Sequence, residues 1–334
     1  MPNIAINGFG RIGRGVFKAG FGKAGFKVVA VNDLTDAMTL AHLLKHDSTY
    51  RTWDKKVSYD AKHLIVEGVK IPVLAEKDPT KLPWGEMKID VVLECTGRFT
   101  DEKGAGQHIT AGAKRVVLSA PAKGGYVPTH VIGLNEKKIN RKARVINNAS
   151  CTTNCIAPVA AVIHSAFGIK KAMMTTIHSY TADQVLQDGP HKDLRRARSA
   201  AENIIPTTTG AAIATTEVIP ALKGKFDGIS IRVPTSCVSL SDFTFLIKKK
   251  TTVEQVNEVL KKAAKNPVYK GIMEVTNEPL VSSDFIGNQA SSIVDLQFTQ
   301  VLDGDMVKVL AWYDNEWGYS NRLAEMALQA AKSL

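Results

Sequence analysis

Asn3-Ile4-Ala5-Ile6-Asn7-Gly8-Phe9-Gly10-Arg11-Ile12-Gly13 is the stretch on which the fold turns. Ile4-Ala5-Ile6-Asn7 reads as a short strand, and a helical segment follows from about Arg11 to Phe21. Three glycines at the G-x-G-x-x-G spacing join the two. Gly8 permits a tight turn, Gly10 lets the backbone approach a pyrophosphate, and Gly13 allows the helix to pack closely on the strand. The helix start also offers free amides and a positive dipole end to phosphate. Such a motif alone is weak evidence. Here the next strand, Lys27–Asn32, runs into Asp33, twenty residues beyond Gly13, where an acid is expected to bind the adenosine ribose hydroxyls. A carboxylate there repels a 2′-phosphate, which favours NAD over NADP. The plainer alternative is that Asp33 merely ends a strand.

Outward from this unit the first half keeps alternating. Asp36–His46 has helical spacing at Met38, Leu40, Leu43 and Leu44; residues 55–74 hold short β pieces broken by Asp60 and Gly68, read as hairpins. Val91–Leu93 and Val116–Leu118 are fully apolar strands with a helical segment between them. This order predicts an α/β fold, a Rossmann-type doubly wound parallel sheet with helices on both faces. The second half has longer strands, Met173–Ile177, Ile229–Val233, Phe243–Ile247, Ser292–Phe298 and Val307–Tyr313, with wider connections. It predicts an α+β catalytic domain with a mostly antiparallel sheet. Its expected helices are Thr152–Phe167 and Val253–Lys265, the latter opened by a capping box from Thr251 to Glu254. A C-terminal helix is expected from about Gly318 to Lys332, with Leu323, Met326, Ala327 and Ala330 on one face. The expected domains are 1–149, completed by the C-terminal helix at about 316–334, and 150–315.

Bulk properties bound the function. A length of 334 residues suits about two domains. No apolar run approaches the roughly 20 residues of a bilayer span, and the first strand begins at Asn3, so no targeting peptide is expected. A cytoplasmic protein with no membrane partner is the default. The formal charge of +11 is scattered along the chain, with short runs at Lys248-Lys249-Lys250 and Lys261-Lys262. Nucleic acid is therefore expected only as a secondary partner, and a basic pocket for anionic ligands uses part of the excess. Four cysteines in a chain this long do not form a disulfide framework, and Cys151-x-x-x-Cys155 has no zinc-site partner pair, so no metal is expected. Cys95 closes the apolar run Val91–Leu93, a usual place for a structural thiol.

One thiol calls for reactivity. Asn147-Asn148-Ala149-Ser150-Cys151-Thr152-Thr153-Asn154-Cys155 joins a strand to a helix. A thiol at a helix start feels the dipole and nearby amides, which stabilise the thiolate. Cys155, one turn further in, receives less of this help. The alternative for Cys151 is a small core residue at a helix start. Among eight histidines, His178 stands at the end of a strand before the polar loop Ser179-Tyr180-Thr181, well placed to reach a cleft.

These segments, together with Trp312-Tyr313-Asp314-Asn315-Glu316-Trp317-Gly318-Tyr319, closely resemble the phosphorylating glyceraldehyde-3-phosphate dehydrogenase family, over essentially the whole chain. The resemblance implies oxidation of D-glyceraldehyde 3-phosphate to 1,3-bisphosphoglycerate with NAD and inorganic phosphate, a step of glycolysis and gluconeogenesis. Cys151 becomes the nucleophile, passing through a thiohemiacetal and a thioester, and His178 the base. For NAD it implies Gly8, Gly10, Arg11, Ile12, Gly13, Asp33, Lys77, Ser119 and Asn315. For the two phosphate groups it implies Thr181 and Arg232 on one side, helped by the cluster Arg195-Arg196-Ala197-Arg198, of which Arg196 is chosen although the cluster also reads as a subunit-contact surface, and Ser150, Thr152, Thr209 and Gly210 on the other. Leu34 and Pro190 resemble the NAD-specific members. The segment Ser179–Ala201 resembles a loop that lines a neighbouring subunit's cofactor site, so a homotetramer is expected. Two other readings stand beside this one: an erythrose-4-phosphate dehydrogenase, in which water attacks the thioester, and an NAD-binding regulatory or RNA-interacting protein, as a secondary role.

Overall fold

In β1 (Asn3–Asn7), Ile4, Ala5 and Ile6 are wholly buried, and the strand lies in the middle of an eight-stranded sheet. The computed structural model describes residues 1–334, which divide into two units, 1–149 with 320–334 and 150–319. After β1 the first unit contains α1 (Arg11–Gly20), β2 (Lys27–Asn32), α2 (Ala37–Lys45), the two-residue strands β3 (His46–Asp47) and β4 (Arg51–Thr52), β5 (Val57–Tyr59), β6 (His63–Val66) and β7 (Val69–Leu74). It continues with β8 (Val91–Glu94), α3 (Glu102–Thr110), β9 (Arg115–Leu118) and β10 (Val145–Asn147). The sheet order is β10-β9-β8-β1-β2-β7-β6-β5. From β10 to β7 every pairing is parallel; β7, β6 and β5 add an antiparallel extension made of the expected hairpins. The chain leaves β1 toward β2 on one side and returns to β8 on the other. That reversal opens a crevice at the carboxyl end of β1, where open α/β sheets bind their ligands.

Local chemistry explains the boundaries. α2 begins where Asp36 accepts a hydrogen bond from the Thr39 amide, and α3 where Asp101 accepts from the Gly104 amide. Leu40 and Leu44 face the core of this unit while Met38 and Leu43 remain exposed, so the apolar stripe is narrower than the spacing alone suggests. The unit's last layer is the end of the chain. Leu323, Met326, Ala327 and Ala330 are buried as the periodicity predicts. The buried Arg115 guanidinium donates to the Ala330 carbonyl at 2.8 Å and to the Arg141 carbonyl at 3.0 Å. A cation on those terminal carbonyls suits the negative end of the helix dipole.

The second unit contains α4 (Cys151–Phe167), β11 (Ile169–Ser179), β12 (Ile205–Thr208), α5 (Ala211–Val218), β13 (Phe226–Val233), β14 (Ser239–Ile247), α6 (Val253–Lys265), β15 (Met273–Thr276), β16 (Ser292–Leu302) and β17 (Met306–Tyr313); α7 (Trp317–Lys332) begins in it. The sheet order is β12-β13-β11-β14-β17-β16-β15, antiparallel except for β11 with β13 and β15 with β16. Ile156, Val159 and Ile163 of α4 pack with Val256 and Leu260 of α6 against Phe243, Phe245, Val307 and Val309 of the sheet.

Besides the two-residue strands β3 and β4, three elements escape the sequence reading. β12 contains Pro206, which argues against a strand, yet β12 lies at the sheet edge where a missing donor costs nothing. α5 and β15 are too short for a readable period. One reading needs correction: the capping box of α6 runs from Thr252 to Gln255, not from Thr251 to Glu254. Thr252 accepts from the Gln255 amide, and the Gln255 side chain reaches back to the Thr252 amide.

A Cβ added to Gly13 would sit 2.1 Å from the Gly8 carbonyl oxygen, whereas one added to Gly10 meets nothing within 4 Å. Gly13→Ala should therefore cost about 1–3 kcal/mol of stability by forcing backbone apart. Thermal denaturation should show a clear loss for Gly13→Ala and none for Gly10→Ala.

Candidate active site

In the first unit, the Gly-rich turn and the end of β2 frame a crevice of ≈ 340 Å³, lined in part by Gly8, Gly10, Asp33, Leu34 and Lys77. Gly8 has φ +88°, and its amide donates to the Asn32 carbonyl at 2.8 Å, so the chain turns where only glycine is unstrained. Gly10 is exposed and adds no bulk at the mouth. Asp33 is anchored rather than loose. Its Oδ2 accepts from the Phe9 amide at 2.7 Å and its Oδ1 from the Thr35 amide at 3.1 Å. Each oxygen keeps a lone pair for a hydroxyl. A bare helix start, an open glycine and an anchored acid in one crevice fit a dinucleotide.

The other cofactor candidates of this unit are placed unequally. Arg11 and Ile12 form the first turn of α1. The Arg11 guanidinium is engaged with Asp47 at 3.2 Å, while its backbone amide belongs to the first turn of the helix. Lys77 is exposed on the crevice wall. Ser119 lies just beyond β9. Cys95 itself is half-buried and lines the crevice.

In the second unit, Ser150 caps α4 by accepting from the Thr153 amide at 3.0 Å, so Cys151 is the first residue of the helix. Its sulfur lies 3.5 Å from His178 Nε2. The imidazole tautomer follows from its other nitrogen. His178 Nδ1 is 2.7 Å from the Ser179 carbonyl, which can only accept, so Nδ1 carries the proton and Nε2 presents a lone pair to the thiol. Arg232 Nη1 donates to the same carbonyl at 3.2 Å and to Thr181 Oγ1 at 3.4 Å. Its 3.0 Å approach to Nδ1 is donor against donor and not a hydrogen bond.

The electrostatics refine the expectation for the thiol. Burial pushes the Cys151 thiol up, and this outweighs the downward pull of Arg232 and of the Thr152 hydroxyl and amide. Burial and then the Arg232 charge lower His178 to about 3, against the pull of the Ser179 carbonyl. The resting pair is therefore a neutral thiol facing a neutral imidazole, ready to move one proton. The other thiols are less available. Burial raises Cys155 to about 12 and pushes Cys95 up as well, while buried Cys237 donates to Asp314 at 3.1 Å. All four cysteines are free.

Around this pair stand most of the predicted anion ligands. Thr181 and Arg232 share a hydrogen bond beside His178. Arg196 is ion-paired with Asp183 at 2.5 Å and donates to Thr207 Oγ1 at 3.0 Å, so it reaches the site already braced. Arg198 pairs with Asp188 instead. On the other side α5 starts at Ala211 with Gly210 as its cap, and Thr209 accepts from the Ala211 amide at 3.2 Å. Thr153 Oγ1 donates to the Ala211 carbonyl at 3.4 Å, tying the start of α4 to the start of α5. Thr152 departs from a simple ligand: its hydroxyl is buried and bonded to Tyr313 Oη at 2.9 Å. Asn315 accepts from Ser239 at 3.0 Å, which fixes its amide and turns Nδ2 the other way.

Tyr313 is the residue that sequence reasoning passed over. It is buried, its hydroxyl sits between Thr152 and Thr176 at 2.9 Å from each, and its ring meets His178 edge-on at 6.0 Å. The motif Trp312–Tyr319 contains it, but nothing in that pattern tells a core tyrosine from one that braces a histidine.

A dinucleotide crevice and a thiol–imidazole pair set among anion ligands define an NAD-dependent dehydrogenase. Two family models agree: glyceraldehyde 3-phosphate dehydrogenase, NAD binding domain, matches residues 2–102, and glyceraldehyde 3-phosphate dehydrogenase, C-terminal domain, matches residues 150–315. The chain is 55% identical over 329 residues to glyceraldehyde-3-phosphate dehydrogenase of Geobacillus stearothermophilus, covering 98% of each. It is 53% identical over 330 residues to glyceraldehyde-3-phosphate dehydrogenase 1 of Bacillus subtilis, again 98% of each, and 50% identical over 333 residues to the Zymomonas mobilis enzyme, 99% of each. This chain belongs to the glyceraldehyde-3-phosphate dehydrogenase family, and its cofactor is NAD.

Iodoacetamide should label Cys151 far ahead of Cys155 and Cys237, and the rate should rise with pH as the raised thiol ionises; peptide mass spectrometry showing equal labelling would remove the activated thiol. His178→Asn should slow acylation by roughly 10²–10⁴ and move its pH profile upward, measured by single-turnover NADH formation. Because His178 binds a proton in the unfolded chain at pH 6.5 but in the folded one only near 3, its burial lowers stability as pH falls through that window. His178→Asn should therefore melt with a weaker pH dependence between those values.

Proposed function

We propose that this protein oxidises D-glyceraldehyde 3-phosphate to 1,3-bisphosphoglycerate, using NAD and inorganic phosphate, through a thiohemiacetal and then a thioester on Cys151. The observation that carries the mechanism is the 3.5 Å approach of Cys151 Sγ to the lone-pair nitrogen of His178. His178 Nε2 takes the thiol proton as sulfur attacks the aldehyde carbon, which removes the need for a preformed thiolate in a buried place. The imidazolium so formed gives that proton to the alkoxide oxygen of the thiohemiacetal, and the neutral ring takes it back when the thiohemiacetal is oxidised to the thioester. NAD, when bound, supplies the two-electron acceptor. Inorganic phosphate then attacks the thioester carbonyl, the sulfur leaves, and the acyl phosphate is released with Cys151 restored.

Two anion sites serve this scheme. Thr181, Arg232 and Arg196 hold one phosphate group, and a planar guanidinium suits it better than an ammonium because it can donate two parallel hydrogen bonds. Ser150, Thr152, Thr209 and Gly210 hold the other, supported by the tied starts of α4 and α5. Gly8, Gly10, Arg11, Ile12, Gly13, Asp33, Lys77 and Ser119 hold NAD, with Asn315 directed to the nicotinamide amide. Residues 1–149 with about 316–334 act as the NAD-binding domain and 150–315 as the catalytic domain.

The protein works as a homotetramer in the cytoplasm. Met173 and Ile229 are 61% and 49% exposed on the second unit's sheet, and Leu186, Leu194 and Ile204 are exposed along 179–204, apolar side chains that a subunit contact would cover. The cytoplasm suits a chain with four free thiols. No helix is long and apolar enough to cross a membrane.

NADH formation should require aldehyde, NAD and phosphate together; turnover equally fast without phosphate or arsenate would instead favour hydrolysis of the thioester, as in an erythrose-4-phosphate dehydrogenase. Asp33→Ala should relax the preference for NAD over NADP, and unchanged selectivity in steady-state kinetics would remove Asp33 from cofactor choice.

A further inference from the structure

Beneath the Gly-rich turn, the first unit holds a buried polar chain to which the reaction scheme gives no task. Glu94 at the end of β8 is 2% exposed and His108 in α3 is not exposed at all. Chemistry alone orders the donors. Trp84 Nε1 can only donate, and it lies 3.0 Å from His108 Nδ1, so Nδ1 holds the lone pair and Nε2 the proton. Nε2 donates to Glu94 Oε2 at 3.0 Å. Asn7 Nδ2 donates to the same oxygen at 2.6 Å, and its 3.3 Å approach to His108 Nε2 sets two donors side by side that the shared carboxylate oxygen holds together. Asn7 Oδ1 accepts from Asn32 Nδ2 at 2.7 Å, and Asn32 Oδ1 accepts from the Glu76 amide at 2.9 Å. The other carboxylate oxygen accepts from the Thr96 amide at 2.8 Å and from the Thr96 hydroxyl. Two arms thus donate into one carboxylate, and no amide in either can turn round without setting donor against donor.

The chain ends at the crevice. Asn7, Asn32, Glu76 and Thr96 line it, while Trp84 and His108 do not. Thr96 N stands 2.7 Å from the place of a Cβ on Gly8, so the backbone held by Glu94 is the wall against which the turn is built. We propose that Glu94 and His108 are positioning residues for the dinucleotide, acting through Asn7, Asn32 and Thr96 to fix the Gly8–Gly10 turn and the Glu76-Lys77 wall before the cofactor arrives. This rests on the crevice being the NAD site. A site ordered in advance spends less binding free energy on its own ordering. A purely structural role, satisfying a buried histidine and tryptophan, predicts lost stability but no selective loss of affinity.

His108→Phe keeps a ring but removes the acceptor for Trp84 and the donor for Glu94, whereas the amide of His108→Gln can supply both. NAD affinity is read by calorimetry, and amide hydrogen exchange at residues 8–13 and 94–97 is read in the cofactor-free protein. Leu64→Ala, a cavity at a buried hairpin position outside the chain, serves as the control for lost stability. His108→Phe should weaken NAD binding about ten-fold, speed exchange at Gly8 and Thr96, and leave kcat at saturating NAD within about two-fold. His108→Gln should restore both affinity and exchange, and Leu64→Ala should lower Tm alone. If His108→Phe lowers Tm while affinity and exchange stay as in the wild type, the proposal is overturned. Should that variant not fold, Glu94→Gln decides: its amide must oppose a donor on one side, so unchanged affinity there also overturns it. Wild-type protein that binds no NAD would remove the cofactor reading itself, an outcome distinct from wild-type binding with unaffected variants.

Discussion

The Ser179 carbonyl accepts from His178 Nδ1 and from Arg232 at once, and the geometry of the second unit's site depends on that shared oxygen. It sets the tautomer, so that Nε2 meets the Cys151 sulfur with a lone pair. It also holds a guanidinium beside the ring, and that charge helps keep the imidazole neutral. Ser179 is itself anchored: its amide donates to Ser239 at 3.2 Å and its hydroxyl donates to the Val238 carbonyl at 2.6 Å. Ser239 in turn holds Asn315. The candidate base, a candidate anion ligand and a cofactor candidate are thus placed by one short run of hydrogen bonds at the ends of β11 and β14.

The balance at Cys151 shows why a helix start does not by itself make a thiolate. Dipole and amides favour the anion, but burial withdraws the water that would solvate it, and burial is the larger effect. In the proposed reaction a neutral imidazole at 3.5 Å resolves the conflict by taking the proton only when sulfur bonds to carbon. The same burial, without such a base, keeps Cys155 inert one turn further along α4.

Much of this was legible in the amino-acid order. The strand–glycine–helix–strand–acid sequence of residues 3–33 has one physical solution, and the apolar runs of β8 and β9 belong to a sheet covered on both faces. Cys151 and His178 were readable as candidates from their element ends, although choosing them over other thiols and histidines needed the family resemblance. What stayed hidden depended on contacts far apart in sequence. Thr152 carries the right hydroxyl in the right place, yet Tyr313, 161 residues later, occupies it. The order of residues does not say that Arg196 is braced by Asp183 and Thr207 while Arg198 pairs with Asp188. Pro206 hid a strand because its edge position is a property of the sheet and not of the segment.

Leu323, Met326 and Ala327 are wholly buried in the unit that begins at residue 1, and Arg115 seals the end of their helix. During synthesis, then, the earliest half of the chain leaves the ribosome with one layer missing. Its sheet can form, but an oily face stays bare while the entire second unit is translated, until residues 320–334 arrive to close it. Nascent chains halted short of that point are the natural clients of chaperones that shield apolar surface.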